Sequence, residues 1–181
     1  MATTPKPKMA EMSLYAWAIL RLSLGFIFLW AFFDKLFGLG FATCRDKVTD
    51  VINVGCSDAW INGGSPTTGF LGRAVTGPLS DFYHNLAGLA WIDWLFMVGL
   101  LVVGFGLLFG VWVRFAAFIG IVMLVLMWSA LLWPINTPAI DDHLVYAFVL
   151  FGIALTDEHQ VWGFRKQWLK SAIAKKFVFL R

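Results

Sequence analysis

Charge is scarce in this sequence. Only 14% of the 181 residues are Asp, Glu, Lys or Arg, against roughly 25% in soluble domains, while 60% are hydrophobic and 17% aromatic. So much apolar surface cannot all be hidden inside one small globule, so an ordinary soluble domain is excluded and a membrane-embedded chain is expected. Nucleotide and flavin fingerprints are missing too: no G-x-G-x-x-G stands between a strand and a helix. Cysteine is limited to Cys44 and Cys56, whose C-x11-C spacing is no recognised metal-ligand pattern. The net charge of +3 is modest, and its late part sits in the tail from Arg165 to Arg181. That tail reads as a membrane-surface segment rather than a nucleic-acid patch.

What is present is long uncharged runs, and a bilayer core takes about 20 helical residues to cross. Leu14 to Phe33 is interrupted only by Arg21; Trp94 to Val113 has no charge; Arg114 opens a run whose span ends near Trp133 and Pro134. A fourth, shorter span runs from about Ile140 to Thr156. The N-terminal stretch has lysines before an apolar run, but no small-residue cleavage site closes it, so it reads as a retained first span. The expected fold class is all-α: an integral membrane antiparallel four-helix bundle forming one domain over residues 1–181, with a long outer loop over 36–90. Lys6 and Lys8, Arg114 and the basic tail predict that residues 1–12 and 157–181 are cytoplasmic, with the chain multi-pass in the plasma membrane.

Gly99, Gly104, Gly106 and Gly110 let backbones approach closely, either within the bundle or, through the Gly106/Gly110 pair, at a dimer face. In the loop, Ser80 is an expected N-cap for a short amphipathic helix in SDFYHNLAGL. Cys44 and Cys56 would face the oxidising side as a disulfide pinning the loop, with redox-active thiols or metal ligands as the alternatives.

Three segments, RLSLGFIFLWAFFDKLFG, GLLFGVWVRFAAFIGIVMLVLMWSA and NTPAIDDHLVYAFVLFGIAL, together resemble the DoxX/DoxD family of small four-helix membrane proteins. The last is more similar to the DoxD branch, the membrane subunit associated with thiosulfate:quinone oxidoreductase. The resemblance implies a quinone-linked redox role, with quinone as the cofactor and in some relatives a second, periplasm-facing subunit. Where DoxX relatives often carry a glutamate early in the second span, this chain has Met97 and Val98, so no proton relay through that helix carries over.

The candidate site residues are the charges beside hydrocarbon. Arg21 lies about 10 Å into the first helix at 1.5 Å per residue, and an intramembrane arginine should face the interior and find a partner. It either pairs with Asp157 or Glu158 or anchors a quinone headgroup. Asp34 and Lys35 end the first helix, Asp93 begins the second, and Asp141, Asp142 and His143 begin the fourth. An antiparallel bundle would bring all of them to the outer interface, where one pocket could collect them. The aspartates could simply cap the fourth helix. Histidine is the side chain suited to proton exchange near neutral pH, so His143 could exchange protons with a reducing quinone alongside Asp142, with Tyr146 on a neighbouring face. A metal centre is not expected: a bis-histidine haem needs a second intramembrane histidine, and His84 and His159 fall outside the spans. The expected partners are membrane lipid and a second protein subunit or respiratory complex. The competing reading is a non-catalytic accessory or assembly subunit of such a complex.

Overall fold

The computed structural model describes residues 8–46, 48–134 and 137–180. Lys6, part of the orientation argument, and most of the 1–12 tail lie outside them, as do Ile135 and Asn136. Helix α1 is Lys8–Phe37, α2 is Ser80–His84, α3 is Ala90–Phe109, α4 is Val113–Ala130 and α5 is Asp142–Thr156, followed by short turns α6 at Arg165–Trp168 and α7 at Ala172–Lys176. No strand occurs among the described residues; one isolated antiparallel bridge joins Arg45 to Ile52.

Local chemistry sets the helix ends. The first turn of α1 carries Glu11 and its last turn Lys35, the signs that complement the macrodipole. Gly38 at φ +65° and Gly110 at φ +67° stop α1 and α3 in the left-handed conformation that glycine adopts without strain. Gly110 therefore ends the second apolar run at Phe109 rather than Val113, and Arg114 falls in the first turn of α4 instead of the connecting turn. Asp141 caps α5 by accepting from the Leu144 N–H at 3.2 Å. Ser80 does not cap α2: it is the first helical residue, and no side chain caps that turn.

Three helices are long and apolar enough to cross a membrane: α1 over Glu11–Phe37, α3 and α4. The expected fourth span, α5, has 15 residues, about 23 Å at 1.5 Å each, and is not among them. It nevertheless packs with the others. Gly25 meets Leu108 and Gly104 meets Leu29 between α1 and α3; Gly99 meets Met123 between α3 and α4; Gly120 meets Leu150 between α4 and α5; Gly152 meets Trp17 between α5 and α1. The numbers run in opposite directions between α1 and α3, between α3 and α4, where Gly106 also meets Ala116, and between α4 and α5, where Arg114 also meets Glu158, so these neighbours are antiparallel.

Leu24, Phe28, Met97, Val103, Leu107, Ala116, Leu124 and Leu150 form the buried core that these helices share. The outward faces are just as apolar: Leu95, Phe118, Phe148 and Leu155 are each at least 64% exposed. If those faces meet lipid, such side chains gain little from association, and close backbone approach has to supply the drive. Gly106 and Gly110 serve that end internally, against Trp112 and Ala116 and against Gln160 and Gly163; neither is turned to an outer face.

The α1–α3 contact yields a test. A Cβ at Gly25 would lie 2.6 Å from the Leu108 backbone nitrogen, and one at Gly104 would lie 2.6 Å from that of Leu29. Backbone cannot swing aside, so Gly25→Ala and Gly104→Ala should each lower stability in detergent by about 1–3 kcal/mol. Gly69→Ala, with nothing within 4 Å of the added atom, should change nothing. Equal melting of all three variants would show that the close approach is not what holds the pair.

Candidate functional site

The charged residues at the loop end of the helices are held separately. Asp34 is 1% exposed in the last turn of α1, where the helix terminus repels a carboxylate. The loop compensates by turning back over it: the N–H groups of Phe41, Ala42 and Thr43 donate to its two oxygens at 2.9–3.0 Å, a backbone nest for an anion. Immediately afterwards Cys44 is joined to Cys56 by a disulfide. Arg45 and Asp50 form a two-pronged pair at 2.6 and 2.9 Å across the exposed tip.

Asp93, in the first turn of α3, accepts from the Ser65 hydroxyl at 2.9 Å and from the Thr67 hydroxyl at 2.6 Å. That ties the middle of the loop to the start of α3. At α5, of the two aspartates before His143 the one bonded to it is Asp141, 2.7 Å from Nδ1, whereas Asp142, expected to handle protons with the histidine, is exposed. Tyr146 packs against the shared core. The Lys35 ammonium stands 6.0 Å from the centroid of the Phe96 ring, a cation–π distance. One pocket does not gather these groups, because backbone amides, loop hydroxyls and a helix start each claim a carboxylate of their own.

A cavity does exist, and none of the predicted site residues lines it. It encloses about 150 Å³ where Pro66, Thr67 and Tyr83 of the loop cover Phe96 of α3 and Met123 and Met127 of α4. Two posts hold this roof. One is the Asp93 contact to Ser65 and Thr67; the other is the Tyr83 hydroxyl, which donates to the Leu126 carbonyl at 3.1 Å and bonds the Ser129 hydroxyl. Sequence reasoning missed the cavity because its lining residues come from four separated stretches and none of them is charged. The spaced methionines and the lone Tyr83 were the only signal.

At the opposite end, Arg21 is 2% exposed. The expected ion pair with Asp157 or Glu158 is replaced by carbonyls. Arg21 donates to Leu107 and, at 3.4 Å, to Leu108, and also to Val161 at 3.1 Å and Trp162 at 2.9 Å. Leu107 and Leu108 lie in the last turn of α3, where carbonyls lack helical partners and the dipole is negative. Asp157 is claimed by Arg165 at 3.0 Å and Glu158 by Arg114 at 2.8 Å. Gln160 completes the junction by donating to the Gly110 carbonyl at 3.0 Å. Arg21 Nε and Gln160 Oε1 have no hydrogen-bond partner among the described residues, and both residues border a cavity of about 10 Å³.

Among the described residues no group of three or more His, Cys, Asp or Glu is placed to hold a metal ion. The chain matches no family model, no curated protein and no solved structure. None of these supports the resemblance to DoxX/DoxD proteins read from the three sequence segments.

Two outcomes test this geometry. Arg21→Leu should lose about 2–4 kcal/mol, because buried carbonyls are left without a donor, and should expose the Arg165–Lys166 region to trypsin. A variant that melts lower but keeps the tail protected would separate Arg21 from the tail.

Acid should loosen the exposed pairs. The Arg114 hydrogen bond, then its charge, holds Glu158 below the ordinary carboxylate value. Arg45 does the same for Asp50, and the Thr49 and Val48 N–H groups for Asp46. With folded values depressed, these contributions are complete above about pH 5, beyond the ordinary carboxylate values, and vanish as pH falls through the lowered values. Amide protection factors around Val48–Val51 should therefore fall in acid and become less pH-sensitive in Asp50→Asn. Protection independent of pH would refute the assignment.

Proposed function

We propose that this chain is a membrane protein whose α5, extended by the turn Asp157–His159, completes an antiparallel four-helix bundle, and that it binds a quinone-class lipid beneath the loop. The observation that carries the reading is the roofed cavity of about 150 Å³, walled by aliphatic, aromatic and methionine side chains with only the Thr67 and Tyr83 hydroxyls as polar groups. Small-molecule sites are mostly apolar cavities with a few placed polar groups, often between bundle helices. A quinone with an isoprenoid tail reaches such a site from the lipid phase. Orientation follows from charge: Arg114 and the basic tail on the cytoplasmic side, and the disulfide-closed loop on the oxidising side.

On this reading the protein is the membrane subunit of a quinone-linked redox system, as the DoxX/DoxD likeness implies. Reduction of a quinone takes two electrons and two protons. The electrons would come from a donor, such as a sulfur compound, held by a second subunit. His143, kept in one orientation by Asp141, is the group able to exchange protons, while Lys35 beside Phe96 supplies positive charge near the cavity wall. Arg21 and Asp34 hold the scaffold together.

The second reading, a non-catalytic accessory subunit of a respiratory complex, is favoured by one observation: Asp34, Asp93, Asp141 and Asp157 all have structural partners.

Titration of ubiquinone and menaquinone analogues into the detergent-purified protein separates the two. Wild type should bind, and Met127→Trp, which fills the cavity, should weaken binding more than tenfold, about 1.4 kcal/mol. His143→Ala, which removes no lining residue of the cavity, should leave binding within a few-fold. Binding unaffected by Met127→Trp would remove the ligand from this cavity, and no binding at all would transfer the assignment to the accessory role.

A further inference from the structure

The C-terminal tail is ordered by contacts that the quinone reading does not use. The Phe164 N–H donates to the Phe109 carbonyl at 2.9 Å, Trp168 meets Trp112 edge-on with centroids 4.9 Å apart, and Phe179 meets Phe115 at 5.6 Å. Trp168 Nε1 closes the segment on itself by donating to the Leu180 carbonyl at 2.6 Å, and Ala174 is fully buried. The tail thus folds back along the α3–α4 turn instead of trailing away.

Its free surface combines two chemistries. Lys166, Lys170, Lys175 and Lys176 are exposed, and no Asp or Glu follows Glu158 in the sequence. Arg165 is already paired with Asp157, whereas Lys166 and Lys170 have no ion pair among the described residues. Among these cations, Trp162, Ile173, Val178 and Phe179 are each more than half exposed. A soluble polyanion would be met by the lysines alone and would leave those apolar groups in water. A bilayer boundary takes both: aromatic and aliphatic groups enter at the level of the headgroups, and lysine stems carry their charges outward to anionic phosphates.

We propose that residues 162–180 form a docking surface for anionic phospholipid headgroups, held flat at the ends of the helices by Phe109, Trp112 and Phe115. This rests on the reading that the helices span a membrane. The surface would bind the bilayer that surrounds the protein, charge against charge, and would fix the level at which the tail end of the bundle sits.

The test uses the full chain in neutral detergent, with dioleoyl phosphatidylglycerol or dioleoyl phosphatidylcholine added and adducts counted by native mass spectrometry. Wild type should retain phosphatidylglycerol at least tenfold more tightly than phosphatidylcholine. The preference should collapse in about 1 M salt, where the screening length is near 3 Å. The combined variant Lys166→Gln, Lys170→Gln, Lys175→Gln and Lys176→Gln should lose the preference while keeping its helicity and its binding of phosphatidylcholine. Phe177→Ser with Val178→Ser should weaken both lipids alike. An equal preference in wild type and the lysine variant, or none in wild type, would overturn the proposal while leaving membrane insertion standing. A chain that stays soluble without detergent and binds neither lipid would overturn the membrane reading and this proposal with it.

Discussion

The buried guanidinium of Arg21 ties together three parts of the chain at one point. It emerges from the middle of α1, reaches the last carbonyls of α3 and continues to the carbonyls of Val161 and Trp162. A side chain with five donors and no acceptor suits a place where a helix ends and a turn begins, because both present carbonyls that lack partners. The tail therefore starts at a fixed height. Asp157, Arg165, Gln160 and Glu158 arrange themselves around a junction that Arg21 already defines.

The loop end works by the reverse logic, with anions gathering donors. Asp34 is unfavourable where it stands on α1 until three amides of the loop turn onto it, so the same residue explains why the loop folds back. Asp93 and Tyr83 then pin the loop's middle to α3 and α4. A roofed apolar cavity results, since two fixed points hold the backbone of residues 65–83 over helices whose side chains there are aliphatic, aromatic or methionine. The ligand space follows from where the polar posts stand.

These residues also mark how far the sequence could be read. The scarcity of charge, the uncharged runs and the glycines predicted helices, their order and their close packing, and the positions of Arg21, Asp34, Asp93 and Asp141 were picked out because a charge beside hydrocarbon needs a reason. Their partners were not legible. Arg21 could have found a carboxylate or a ligand and found carbonyls; either aspartate before His143 could have met it, and Asp141 does. Backbone groups leave no mark in the sequence, and adjacent aspartates differ only in the direction in which the helix start turns them.

Composition and spacing by themselves determined an all-helical chain with apolar segments near the length of a bilayer and two cysteines in one loop, because these depend on local periodicity and on the sum of side-chain hydropathies. Only the tertiary structure decided which polar groups satisfy one another, that the cavity lies under the loop rather than among the predicted charges, and that the tail returns along the α3–α4 turn. Each of those depends on where distant backbone segments come to rest. That is set by helix packing at the glycines and by the few buried ions that the packing has to satisfy.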